Sequence, residues 1–95
     1  MAEAYKVTPV FDHDTLPAGL RREHQTKAGV WGLIRVLEGR LRLEYADGSP
    51  ERILSPGVTG LLKPEQPHSV EPLGCMRMQV EFYEAEPRAA PTAGS

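Results

Sequence analysis

The sequence predicts a single all-β domain, an antiparallel sandwich or barrel, and three observations carry that expectation. Segments of strand length recur with a turn signal roughly every ten residues. Two of them, residues 40–45 and 76–83, alternate polar and apolar side chains with the period of a half-buried strand. Helical periodicity is almost absent, so no helix longer than about two turns is expected, and that one lies between Asp12 and Arg22.

The totals set the scale. The chain has 95 residues, enough for one domain. A chain of this size buries only roughly 60–65% of its unfolded surface, so the core is modest. The formal net charge is −2, from 11 basic and 13 acidic residues, which gives no reason to expect a nucleic acid or an anionic membrane as partner. Cys75 is the single cysteine, which excludes an internal disulfide and a thiolate zinc cluster. The start, MAEAYKVTPV, carries no apolar signal region, and no apolar run has the length of a membrane span. A cytoplasmic protein is expected.

Taken in order, residues 1–6 read as a lead-in and residues 7–11 as an edge strand, because Pro9 has no N–H to donate to a central ladder. Asp14 or Thr15 offers a cap for a short helix with Pro17 in its first turn, and Gly19 keeps it short. His13, between two aspartates, is expected in solvent. Residues 30–37, VWGLIRVL, have the β-branched and aromatic content of a strand. Glu38 and Gly39 turn the chain into residues 40–45, where Leu41, Leu43 and Tyr45 share one face. Asp47 and Gly48 form a hairpin signal, with residues 51–54 as the return strand. Residues 68–72 are a short strand, turned by Leu73 and Gly74 into residues 76–83. There Met76, Met78, Val80 and Phe82 take one face, and Arg77, Gln79, Glu81 and Tyr83 the other. The domain is placed at residues 1–84. The tail, residues 85–95, is small residues and proline without periodicity and is expected to be disordered.

The stretch around which this plan turns is residues 54–70, LSPGVTGLLKPEQPHSV. Pro56 and Gly57 are a turn signal, Gly60, Leu61 and Leu62 a short apolar run, and Pro64 to Pro67 a second stiff loop. His68 is thereby held between a proline-stiffened loop and a strand start. A polar side chain on rigid backbone suits a binding site; it also suits a turn cap, and spacing alone does not separate the two.

Two spans resemble the paired motifs of cupins, small jelly-roll barrels. Gly57 to His68 has the glycine-to-histidine span of the second motif, G(x)5PxGxxH, with its proline displaced by one residue to Pro64 and Glu65 where the motif has glycine. Gly19 to Gly39 has the span of the first motif, yet its metal positions carry Gln25, Lys27 and Gly32, with His24 next to the first. Over a longer reach, the strings TPVFDHDTLP, HQTKAGVWGLIRVLEG, PEQPHSVEP and QVEFY are similar to the cupin-like family represented by YeaR and by the N-terminal part of TehB tellurite-resistance proteins. The resemblance implies a cupin fold, the bacterial cytosol and an association with metal or oxyanion stress. It does not imply methyl transfer, because this chain has no Gly-rich strand–helix unit for S-adenosylmethionine.

With the resemblance, a site can be assembled. His24, His68 and Glu81 are the candidate ligands of one divalent metal (zinc, iron or nickel), two imidazoles and a carboxylate leaving open positions. The Leu73–Gly74 turn is expected to make the strand of His68 an antiparallel neighbour of the strand of Glu81. The one-residue offset of His24 from its motif position would reverse its sidedness unless a bulge corrects it. Lys27, pointing inward, would neutralise an oxyanion or pair with Glu81; Gln79 and Trp31 are further pocket candidates. Against this stand plain structural roles: Glu81 and Gln79 in solvent, His24 capping a loop, Trp31 in the core. Cys75 is expected to be inert. The function expected is binding of a divalent metal or a small anionic ligand by a homodimer, with residues 7–11 at the interface. The alternatives are a metal-dependent enzyme of oxidation or isomerisation and a structural cupin without a ligand.

Overall fold

The computed structural model describes residues 4–22 and 25–87. Eight strands follow in order: β1 Lys6–Val7, β2 Phe11–Asp12, β3 Trp31–Glu38, β4 Leu41–Tyr45, β5 Arg52–Leu54, β6 Gly60–Leu62, β7 His68–Pro72 and β8 Arg77–Tyr83. Between β2 and β3, a 3-10 turn covers Ala18–Arg21. No helix among the described residues is long and apolar enough to cross a membrane.

The strands form two antiparallel sheets. One has the order β1-β8-β3-β6, with β2 also on β8; the other has the order β5-β4-β7. The strand pleat sends Ile34 and Val36, Leu62, and Met78 and Val80 inward from the first sheet. Leu41 and Leu43, Leu54 and Val70 meet them from the second, and all belong to one apolar core. Tyr45 ties the layers together, its hydroxyl donating to the Leu61 carbonyl at 2.7 Å.

Two glycines are dictated by close approach. At Gly39 (φ 76°) a Cβ would stand 2.2 Å from the Cys75 carbonyl oxygen, so only glycine lets the β3–β4 turn lie on the β7–β8 connection. At Gly60 a Cβ would come within 2.7 Å of Leu43 and 2.8 Å of Leu54, so its absence lets the sheets close.

Three expectations need correction. The strand expected over residues 7–11 is two short pieces, β1 and β2, with Pro9 between them. There the Thr8 hydroxyl replaces a backbone partner by accepting from the Val80 N–H at 3.0 Å. Neither Asp14 nor Thr15 caps the short helix, which starts after Pro17 without a side-chain cap. Asp12 organises this turn instead, its Oδ1 accepting from the N–H groups of Asp14 (2.8 Å) and Thr15 (2.9 Å). Most consequentially, β7 and β8 are not neighbours: β7 pairs with β4, and β8 with β3, β1 and β2. The Leu73–Gly74 turn is a crossing from one sheet to the other, which period-2 alternation cannot distinguish from a hairpin. The tail is not tested from residue 88 onward, which lies outside the described residues.

Candidate functional site

Between the sheets lies a cavity of about 190 Å³. Ile34, Leu62, Val70, Met78 and Val80 wall it from the strands, and Phe11, Pro17 and Leu20 close it from the N-terminal segment. One imidazole interrupts this apolar lining: His68, at the start of β7 and only 2% exposed. Its Nδ1 lies 3.1 Å from the Gln66 carbonyl oxygen. A carbonyl oxygen can only accept, so Nδ1 carries the hydrogen of that contact.

The loop that supplies that carbonyl is fixed from two sides. Thr26, 6% exposed, donates from Oγ1 to the Val30 carbonyl at 2.7 Å, and its own carbonyl accepts from the Glu65 N–H at 3.1 Å. On the other side Gln66 donates from Nε2 to Asp47 at 3.0 Å and accepts at Oε1 from the Lys63 N–H at 3.2 Å. The Gln66 bond, with that from Ser49, holds the Asp47 carboxyl down at about 2. Glu65 adopts φ 60°, the left-handed conformation that the motif glycine takes without cost. The resemblance placed a glycine there, so the departure in sequence is paid in backbone strain beside the cavity.

The other candidate residues separate from His68. Glu81 lies on β8 between Val80 and Phe82, both of which line the cavity, so the pleat turns it to the opposite face. There it accepts from Arg35 at both oxygens (3.0 and 3.2 Å) and from the Tyr83 hydroxyl at 2.6 Å. Arg35 holds the Glu81 carboxyl below its usual range, while burial and the bond to Glu81 push Tyr83 up to about 12. Gln79 is on the same outer face, its Nε2 3.5 Å from the Thr8 carbonyl. Trp31 is opposite Tyr83 and shares that face. Lys27 is exposed and borders a surface cleft with Lys6 and Gln25, not the cavity. His24 lies outside the described residues.

This arrangement bears directly on metal. A protein site for zinc or iron offers three or four donors. The described lining of the cavity offers one, His68. Among the described residues one group of three metal-type side chains exists elsewhere, Asp12, His13 and Asp14, with ligand atoms within 4.8 Å of one another. It is a surface turn whose Asp12 already accepts three hydrogen bonds at Oδ1, from Asp14 and Thr15. The described residues of the cavity therefore do not by themselves assemble a metal donor set.

Sequence reasoning passed over Thr26 and Phe11. The signal for Thr26 was present in alternation, since it lies between two polar residues, Gln25 and Lys27, that face outward. Phe11 reaches the cavity wall only because β2 pairs with β8, which no local pattern announces.

Comparison with known proteins places this geometry. Residues 6–80 match the family model of the TehB-like domain. A probable S-adenosyl-L-methionine-dependent methyltransferase TehB of Haemophilus influenzae is 36% identical over 74 residues, 73% of this chain and 26% of that protein. The crystal structure of TehB from Haemophilus influenzae superposes with a TM-score of 0.78 at 32% identity, over 86% of this chain and 31% of that one. An Escherichia coli K12 protein superposes at 0.79 and 22% identity, over 92% of this chain and 93% of that one. HppE, solved with iron(II), shares the fold at 0.58 and 19% identity, covering 77% of this chain and 40% of that one. This chain thus spans about a quarter of the length of the curated relative it matches. Its all-β fold is that of the cupins, and the chain belongs to the TehB-like domain family.

Proposed function

We propose that this domain is a small-molecule binding module of the cytoplasm, whose ligand enters the cavity between the sheets, where the one buried imidazole among the described residues lies. The observation that supports it is His68, 2% exposed, set in the otherwise apolar wall of a space of about 190 Å³. An apolar cavity of roughly 150 Å³ is enough to admit a benzene molecule, so a ligand of similar size is accommodated without opening the sheets. The rigid loop of residues 63–67 fixes the histidine before any ligand arrives, which lowers the ordering cost of binding.

The name of the curated relatives states a methyl-transfer activity, and their connection to tellurite resistance is by name. Neither is carried over, because this chain spans about a quarter of their length. The test uses protein carrying carbon-13 in its methionine methyl groups, equilibrated with xenon and then titrated with benzyl alcohol. The Met78 methyl, inside the cavity wall, is expected to shift with both. If it remains unmoved at millimolar benzyl alcohol and under xenon, the cavity is not a binding site and the reading fails.

A further inference from the structure

Resting on that reading, we infer that the ligand is an amphipathic monocarboxylate, whose apolar body occupies the cavity and whose carboxylate stays outside it, in the surface cleft bordered by Lys6 and Lys27. The juxtaposition of two spaces carries this. The cavity between the sheets holds about 190 Å³, and the cleft that Tyr5, Lys6 and Lys27 border holds about 250 Å³. Thr26 and Phe82 line both, so the two spaces meet at these residues. The register of β1 brings one lysine to that junction, since Lys6 pairs with Phe82 across the β1–β8 ladder. Directly paired residues project to the same face of a sheet, and Phe82 shares with Met78 and Val80 the face that walls the cavity. Lys6 therefore leaves the sheet on the cavity side, at its edge, whereas Val7 turns to the outer face with Glu81. Lys27 reaches the same cleft from the position after Thr26. Both lysines are exposed, and neither is in an ion pair with another described residue.

The two sides of the junction differ in stiffness. Thr26 is held by its bonds to the Val30 carbonyl and to the Glu65 N–H. Phe82 is half-buried and packs on the edge of the core, so its ring is the side that yields when a molecule passes. The chemistry on each side sets the ligand class. An apolar body gains by leaving water for Ile34, Leu62, Met78 and Val80. Roughly 150 Å³ admits a benzene molecule, so a body of about six to eight carbon atoms fits the inner space. The carboxylate keeps its hydration in the open cleft and meets two ammonium groups there. Exposed ion pairs contribute little, so each lysine is expected to change affinity by up to about fivefold.

Octanoate, octanol and octylammonium share a tail and differ in the charge of the head. Each is titrated into the full chain carrying carbon-13 in its methionine methyl groups, with acetate as the head alone. Octanoate is expected to shift the Met78 methyl and to bind about tenfold more tightly than octylammonium, with octanol between them. Acetate is expected to leave that methyl in place. In the double variant Lys6→Gln, Lys27→Gln, octanoate is expected to weaken about five- to tenfold while octanol binds as before. Octanoate binding no tighter than octanol, or undiminished in the double variant, overturns the inference. Octanoate binding that leaves the Met78 methyl unmoved also overturns it, because the tail then lies outside the cavity. If xenon and benzyl alcohol move that methyl and no octyl compound does, this inference falls alone. If none of them moves it, the functional reading falls with it.

Discussion

Glu81→Gln decides whether the carboxylate of β8 belongs to the cavity or to the outer face. In the native protein it accepts two bonds from Arg35 and one from Tyr83, at 3.0, 3.2 and 2.6 Å. Hydrogen bonds to a charged group contribute about 1.5–3 kcal/mol when shielded. Here the Glu81 side chain is 17% exposed but Arg35 is 41% exposed, so water screens much of the pairing. A carboxamide keeps the shape and can still accept from Tyr83 or Arg35, but its NH2 group faces a donor. We expect a loss of about 1–2 kcal/mol at pH 7, read by urea denaturation, which corresponds to about 4–8 °C of melting temperature per kcal/mol in a domain of this size. The folded protein holds the Glu81 carboxyl below its ordinary value, so the unfolded chain takes up the proton first as pH falls. The stabilisation is therefore present above the ordinary carboxylate pKa of about 4.3 and is lost as pH drops through the lower folded value. The gap between wild type and Glu81→Gln should accordingly close in acid, while benzyl alcohol binding at neutral pH stays unchanged. A variant as stable as wild type that no longer binds the alcohol would refute the separation of Glu81 from the cavity.

Gly29 and Gly39 share the left-handed conformation, φ 77° and 76°, but a Cβ meets nothing within 4 Å at the first and the Cys75 carbonyl at 2.2 Å at the second. Gly29→Ala should cost about 1–2 kcal/mol, and Gly39→Ala about 4 kcal/mol or more, enough to prevent folding; equal losses in urea denaturation would contradict the close approach. Glu65→Gly removes left-handed strain at φ 60° against the greater freedom of an unfolded glycine, for a net gain of up to about 1 kcal/mol; a lower denaturation midpoint would count against strain in the loop. Two copies are expected to pair through the β1 edge, where Tyr5 is 52% and Val7 47% exposed. Sedimentation at micromolar concentration should show a dimer that Val7→Lys dissociates, and a monomeric wild type would end that proposal.

Strands β3 to β8 were legible because their signals are local. Alternation marked Leu41, Leu43 and Tyr45 and the two faces of residues 77–83, while Asp47 with Gly48 marked the hairpin into β5. His68 as a cavity residue was legible as well, through its rigid loop and the resemblance to the second cupin motif. What failed was adjacency. Alternation specifies which residues share a face of a strand; it does not specify which strand lies beside it or which sheet receives it. Glu81 and His68 were joined on the premise that a short glycine turn makes a hairpin, and the chain instead crosses from the three-stranded sheet to the other between Pro72 and Arg77. Lys27 and Trp31 were named as pocket candidates without an alternation to assign their faces; the inward-facing residues of those segments are Thr26 and Ile34.

The same crossing explains how a small core tolerates a buried imidazole. Because β7 and β8 belong to different sheets, His68 faces Met78 and Val80 across the cavity and draws no support from a ladder with them. Its support comes from the loop of residues 63–67, which is fixed through Thr26 to the segment before β3 and through Gln66 to Asp47 in the β4–β5 hairpin. Both sheets thus contribute to placing the Gln66 carbonyl against the ring. A histidine that follows so firmly fixed a loop keeps its direction before a ligand arrives, which lowers the ordering cost of binding. Glu81, on the far side of β8, is free of that task and closes the outer face with Arg35 and Tyr83 instead.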